Sequence, residues 1–122
     1  MYIKQFFSST RYAVQGICYV FRNEQNFRIQ LVVAVVVAGF AWYFPLSDAE
    51  RILVLLLIML IFILELVNSA IERFTDILKP RMHQHVRVVK DIMAGTVLIA
   101  SVGAMILGLM IFAPHIIELF SK

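Results

Sequence analysis

Thirteen consecutive apolar residues, Ile52 to Leu64, follow one another with no polar interruption. Two further runs share that character. One has the uncharged centre Leu31 to Ala38, and the other extends from Ile92 to about Phe112. A chain of 122 residues that is 61% apolar has too little interior to hide such segments. They have to face lipid or other subunits. The sequence therefore predicts an all-α membrane protein with one domain, 1–122, and three spans at about 27–44, 52–71 and 92–112.

The flanks refine this layout. Residues 2–22 interleave Phe6, Phe7, Tyr12, Ile17 and Phe21 with Lys4, Arg11, Gln15 and Arg22. That pattern predicts an amphipathic helix lying in the headgroup plane. Trp42 and Tyr43 close the first span as an aromatic belt. Pro45 stops that helix, and Ser47 or Asp48 can cap the next. Lys79-Pro80-Arg81 is expected to end the second helix and open a basic loop reaching Lys90. The third span is expected to stop before Pro114. Ala100, Ala104 and Gly108 form a small-residue stripe that lets helices approach closely in lipid. The single cysteine, Cys18, suggests neither a disulfide nor a zinc site. The N-terminus does not read as a cleavable signal peptide.

Charge sets the orientation. Nine of the eleven Lys and Arg residues fall before the first span, at its start, or between the second and third spans; Arg51 and Lys122 are the exceptions. By the positive-inside rule the N-terminus and the 73–91 loop are cytoplasmic, and the C-terminus is outside. A bacterial cytoplasmic membrane is the expected location. The basic residues are accounted for by topology, and no nucleic-acid partner is expected.

Glu65 is the residue most suggestive of chemistry. A rise of about 1.5 Å per residue puts it about 20 Å along the second helix, inside a hydrocarbon core about 30 Å thick. An acid at that depth is costly and marks a functional site unless it merely pairs with another helix. Glu65, Asn68, Ser69, Glu72 and Asp76 fall within roughly 60° of one line on the helix. This stripe descends from the membrane interior to the cytoplasmic surface. Its carboxylates would repel one another without a cation, and magnesium takes one or two carboxylates together with substrate phosphates. Glu24 could add a ligand at the mouth of the first span, and Lys90 could offset phosphate charge. There is no GxxxxGK[ST], GxGxxG, HRD or DFG motif. Three readings stay open on the residues alone: a kinase acting on a lipid alcohol, a cation or proton transporter using Glu65, and a non-enzymatic assembly protein.

The segment Glu65-Leu66-Val67-Asn68-Ser69-Ala70-Ile71-Glu72, followed by Asp76, His83 and Lys90-Asp91, resembles the signature of the prokaryotic diacylglycerol kinase and undecaprenol kinase family. Asn23-Glu24 with Asn26-Phe27-Arg28 matches upstream, and the resemblance covers nearly the whole chain. It departs at Met82, where the family often has Tyr, and at Arg87-Val88-Val89 before Lys90. The resemblance implies a homotrimeric lipid kinase with shared active sites, using ATP and Mg2+ to phosphorylate undecaprenol or diacylglycerol. It implies Glu65 as general base, which also contacts the lipid together with Ser69, and Asn68 as the group orienting the base or the acceptor. Glu24 and Glu72 would hold the metal. Tyr12, Asp76, Met82, His83, Lys90 and Asp91 would line the nucleotide side with them.

Overall fold

Four helices make up the computed structural model, which describes residues 2–81 and 83–121. They are α1 (Tyr2–Asn23), α2 (Gln25–Tyr43), α3 (Asp48–Leu78) and α4 (His83–Ser121). Among the described residues there is no strand. Helices α2, α3 and α4 are each long and apolar enough to cross a membrane, as the three apolar runs require. Helix α3 has 31 residues, about 46 Å at helical rise, so it outlasts the hydrocarbon by several turns.

The helix junctions follow from local chemistry. Between α1 and α2, Glu24 adopts an extended conformation with φ −114°. The Arg28 guanidinium reaches back and donates to the Arg22 carbonyl at 3.0 Å, supplying one of the partners that the end of α1 lacks. Between α2 and α3, Ser47 Oγ accepts from the Glu50 amide while Glu50 Oε1 accepts from the Ser47 amide. This is a complete capping box. The Ser47 amide and hydroxyl hold the Glu50 carboxyl below its usual titration range. Arg51 then turns back and donates from Nε to the Ala41 carbonyl at 3.0 Å and from Nη2 to the Phe44 carbonyl at 3.4 Å. A cation is favoured at that negative helix end. Ala41, Phe44, Leu46, Val54 and Ile111 bury themselves around this turn.

Two boundaries differ from the sequence expectation. The basic segment expected as a loop up to Lys90 is mostly helix, because α4 already begins at His83. Nothing after Pro80 breaks a helix. Val86 turns inward and is buried, and Lys90 Nζ binds Asp76 Oδ1 at 2.7 Å, so α4 is anchored on α3 from its first turns. The connection is correspondingly short. At the far end, α4 continues through Pro114 to Ser121. Proline there forfeits one backbone bond. The turn beyond it gains compensating contacts: the His115 ring lies beside Phe44, and its Nε2 stands 3.8 Å from Glu50 Oε2.

The small residues of α4 leave space within the chain. A Cβ built at Gly103 or Gly108 would meet no atom within 4 Å, so no backbone approaches them closely within the chain. Instead Ser101, Ala104 and Gly108 line an apolar groove between α2, α3 and α4. Elsewhere Val32, Val35, Ile99, Met105 and Met110 are well exposed, faces available to lipid or to other chains.

Two outcomes test this architecture. Ser47→Ala should lower stability in detergent by about 1 kcal/mol, while Ser47→Asp retains the cap; a denaturant titration showing no loss for alanine would mean that the box does not form. The second concerns the Asp76–Lys90 clasp. Hydrogen bonding from Lys90, with the charges of Lys90, Lys79 and Arg73, holds the Asp76 carboxyl below its ordinary value of 3.8. Its contribution to folding is therefore fully present above that value and is lost as pH falls through the lowered one. In Lys90→Met the carboxyl carbon resonance of Asp76 should titrate closer to 3.8. An unchanged titration would show that the pair is absent.

Candidate active site

The polar residues of α3 are positioned by helical spacing. Residues 65, 69, 72 and 76 recur every three or four positions and share one face. That face looks toward the α1–α2 junction and α2. Glu65 is 6% exposed and Ser69 2% exposed. Asn68 and Glu72 are half-buried, and Asp76 is exposed. Burial therefore decreases along the stripe toward the charged end of the helix.

Each member meets a defined partner or an open side. Glu65 Oε1 accepts from Gln30 Nε2 of α2 at 3.0 Å. Ser69 Oγ donates to Glu24 Oε1 at 3.3 Å. The Arg73 guanidinium approaches the same oxygen at 3.5 Å and lies over the Tyr19 ring, 5.2 Å from its centroid. One turn further on, Asp76 pairs with Lys90 of α4. Acids and bases thus alternate from the α1–α2 junction to α4, in the order Glu24, Arg73, Asp76, Lys90. A crevice between α1 and α3, lined by Gly16, Tyr19, Ser69 and Arg73 among others, opens beside this row.

Not every residue implied by the family resemblance joins the cluster. Tyr12 is exposed on α1, and His83 and Asp91 are exposed on the first turns of α4. Among the described residues none of these three side chains hydrogen-bonds to a carboxylate of the stripe. Met82 lies outside the described residues. Two participants escaped the sequence analysis. Gln30 was legible as an amide inside an otherwise apolar span, a polar residue that needs a partner in lipid. Arg73 was visible only as one more basic residue.

The arrangement separates two environments. Gln30 and Glu65 are the deep pair. Gln30 also lines the apolar groove, whose volume is about 760 Å3. Glu24 and Glu72 offer hard oxygen donors near the charged end. Among the described residues no three His, Cys, Asp or Glu side chains converge as a closed metal cage. Two carboxylates leave most coordination positions of a divalent ion to whatever it carries. A buried acid bonded to an amide that lines an apolar groove, with an open polar row above it, sets an apolar environment beside a charged one.

Comparison with known proteins agrees with this geometry. The family described as prokaryotic diacylglycerol kinase matches residues 11–112. An undecaprenol kinase of Bacillus subtilis is 35% identical over 114 residues, which make up 93% of each chain. A diacylglycerol kinase of Synechocystis is 34% identical over 112 residues, 91% of this chain and 64% of the relative. A diacylglycerol kinase of Escherichia coli is 29% identical over 104 residues, 85% of each. The match spans α2 and α3 entirely, most of α1 and all of α4 up to Phe112, and so takes in the whole polar row: the chain belongs to the prokaryotic diacylglycerol kinase family and is a lipid kinase, a multi-pass bacterial membrane protein.

Proposed function

We propose that this chain transfers the γ-phosphate of ATP, with Mg2+, to the hydroxyl of a membrane lipid alcohol, with Glu65 as general base. The observation that carries this reading is Glu65 itself: a carboxylate buried at membrane depth, held by Gln30 at 3.0 Å, on the same helix face as the acids that reach the surface. Glu65 takes the proton as the lipid oxygen attacks phosphorus. Asn68, one turn away, orients that base or the acceptor, and Ser69 lies beside them on the lipid side. Glu24 and Glu72 would hold the metal through their carboxylates. Their open donor set fits an ion that arrives on a nucleotide and keeps its phosphate ligands. When bound, the ion offsets the charge of the phosphates. Lys90, Asp76, Asp91, His83 and Tyr12 line the nucleotide side, and Met82 belongs with them by its place in the family pattern.

The acceptor is undecaprenol or diacylglycerol. Undecaprenol is favoured by the Bacillus subtilis relative, which is similar along 93% of both chains and named for that substrate. The Asn26-Phe27-Arg28-Ile29 segment that opens α2 leans the same way. The basic residues around 73–91 and before α2 favour a cytoplasmic N-terminus and an external C-terminus. Helix α1 exposes Phe6, Phe7 and Tyr12 and suits the headgroup plane. The broad apolar exposure of α2, α3 and α4 suits a homotrimer embedded in lipid, with sites shared between copies.

Two experiments test this reading. Purified protein given γ-labelled ATP and magnesium should pass label to undecaprenol or diacylglycerol in an organic extract. Glu65→Gln should lower that turnover by about 10²–10⁴-fold while nucleotide binding persists. Retention of most turnover would remove the general-base role. Independently, Cys placed at Gln84, with Cys18 replaced, should react with an impermeant thiol reagent only after the inner membrane is opened. Labelling in intact spheroplasts would reverse the topology and separate the site from cytoplasmic ATP.

A further inference from the structure

Glu24 and Glu72, the two acids read above as metal donors, differ in what already engages them. Among the described residues no hydrogen bond or ion pair involves the Glu72 carboxylate. Glu24 carries two partners, and both meet the same oxygen. Ser69 Oγ donates to its Oε1 at 3.3 Å, and Arg73 Nη2 stands 3.5 Å from it. The two partners differ in permanence. Ser69 is 2% exposed, so its hydroxyl is shielded from water. The Arg73 side chain is 47% exposed, and 3.5 Å is long for a charge-assisted pair. An exposed contact of that kind adds little and is readily exchanged. The guanidinium is nevertheless kept close, because it lies over the Tyr19 ring of α1, 5.2 Å from the centroid. Tyr19 and Arg73 both line the crevice between α1 and α3, about 470 Å3 in volume, so the guanidinium has room to move.

We propose that Arg73 is an exchangeable counter-cation for Glu24: it occupies the carboxylate until a divalent cation takes its place, and then turns its guanidinium to the phosphates arriving with that cation. This rests on the reading of Glu24 and Glu72 as metal donors. A divalent cation and a guanidinium do not share one carboxylate oxygen, since like charges at contact distance repel. Binding at Glu24 therefore displaces Arg73, while Ser69 keeps the carboxylate in place. The displaced guanidinium has few other acids to meet. Asp76, three residues on, is held by Lys90 Nζ at 2.7 Å. Glu72, its neighbour in the chain, is the other donor to the same cation. Phosphate oxygens carried by the cation are then the anions within reach, and a planar guanidinium with five N–H donors suits them. The consequence is a coupling with two signs. Arg73 opposes a divalent cation that comes alone and favours one that brings a nucleotide. No covalent bond is made or broken at Arg73; it binds and positions.

Binding measured without turnover tests both signs. Mn2+ is titrated into the full-length protein in detergent and followed by electron paramagnetic resonance, alone and with a non-hydrolysable ATP analogue. Arg73→Gln should bind Mn2+ alone about two- to fivefold more tightly than the wild type, the worth of an exposed ion pair. The same variant should bind Mn2+ with the analogue about tenfold more weakly, the worth of a hydrogen bond to a charged group. Arg73→Lys keeps the charge and should stay near the wild type for Mn2+ alone. Damage to the fold would weaken both affinities, so shifts of opposite sign identify the exchange. A measurement on the unmutated chain stands beside these. With 15N-labelled arginine, the Arg73 Nε–H resonance should move on adding Mg2+ alone, toward its position in Glu24→Gln. Glu24→Gln also checks the underlying reading, because it should weaken Mn2+ binding. If it does and Arg73→Gln changes nothing, the exchange alone is overturned. If it does not, Glu24 loses its metal role and the exchange falls with it. An Arg73 resonance indifferent to Mg2+, or an Arg73→Gln protein that binds Mn2+ with the analogue as the wild type does, also overturns the proposal.

Discussion

The hydrogen bond between Gln30 and Glu65 is the contact on which the site depends. A carboxylate taken out of water faces a penalty of several kcal/mol, and a hydrocarbon slab offers it no solvent. Only a partner on another helix can meet that demand at this depth. Gln30 does so without contributing a charge, so the carboxylate is held and not neutralised by a salt bridge. A lysine in that position would form a closed ion pair and leave the acid occupied. The amide engages only one of the two carboxylate oxygens. The interaction is local and lies where α2 packs on α3, a packing that also brings the Phe27 and Phe62 rings 5.4 Å apart.

Toward the charged end of α3 the solution changes from dipoles to charges. Glu24 meets Arg73, and Asp76 meets Lys90. These pairs are largely exposed, where an isolated ion pair adds little to stability. Their value lies in alternation: a base stands beside Glu24 and another beside Asp76 where four carboxylates gather within a few turns of α3 and the adjoining junction. Such pairs are readily exchanged, because water and other ions compete for each partner. The deep amide contact, by contrast, is buried away from that competition. One helix face therefore joins a buried end held by an amide and an exposed end held by charges.

Much of this was legible in the sequence because membranes enforce simple rules. Three apolar runs gave three helices, and the i, i+3, i+4 spacing of Glu65, Asn68, Ser69, Glu72 and Asp76 placed them on one face. The capping role of Ser47 followed from residue type. What escaped was pairing across helices. Spacing within α3 says nothing of which residue of α2 lies opposite Glu65, 35 positions away in the chain. Arg51 looked like a misplaced charge, and the fold uses it to cap the end of α2. The start of α4 was misjudged because basic, histidine-rich residues read as loop, whereas Val86 and Lys90 anchor them as helix. The small residues of α4 also line the groove, since absence of a side chain makes room as readily as it permits approach.

The register of Gln30 against Glu65 has to be set somewhere, and the long helices cannot set it alone. Apolar side chains packed in lipid tolerate sliding, because one Val or Leu contact resembles the next. A slip of one residue along α3 would move its polar face by 1.5 Å and rotate it by about 100°, enough to part Glu65 from Gln30. The turn between α2 and α3 supplies the constraint. Arg51 ties two carbonyls at the end of α2, the Ser47–Glu50 box fixes the first turn of α3, and Phe44 is buried between them against Phe112. His115, beyond Pro114, adds α4 to the same cluster. These contacts are specific where the spans are generic. The end of the molecule remote from Glu65 thus holds the helices in the one alignment that places an amide of α2 beside an acid of α3.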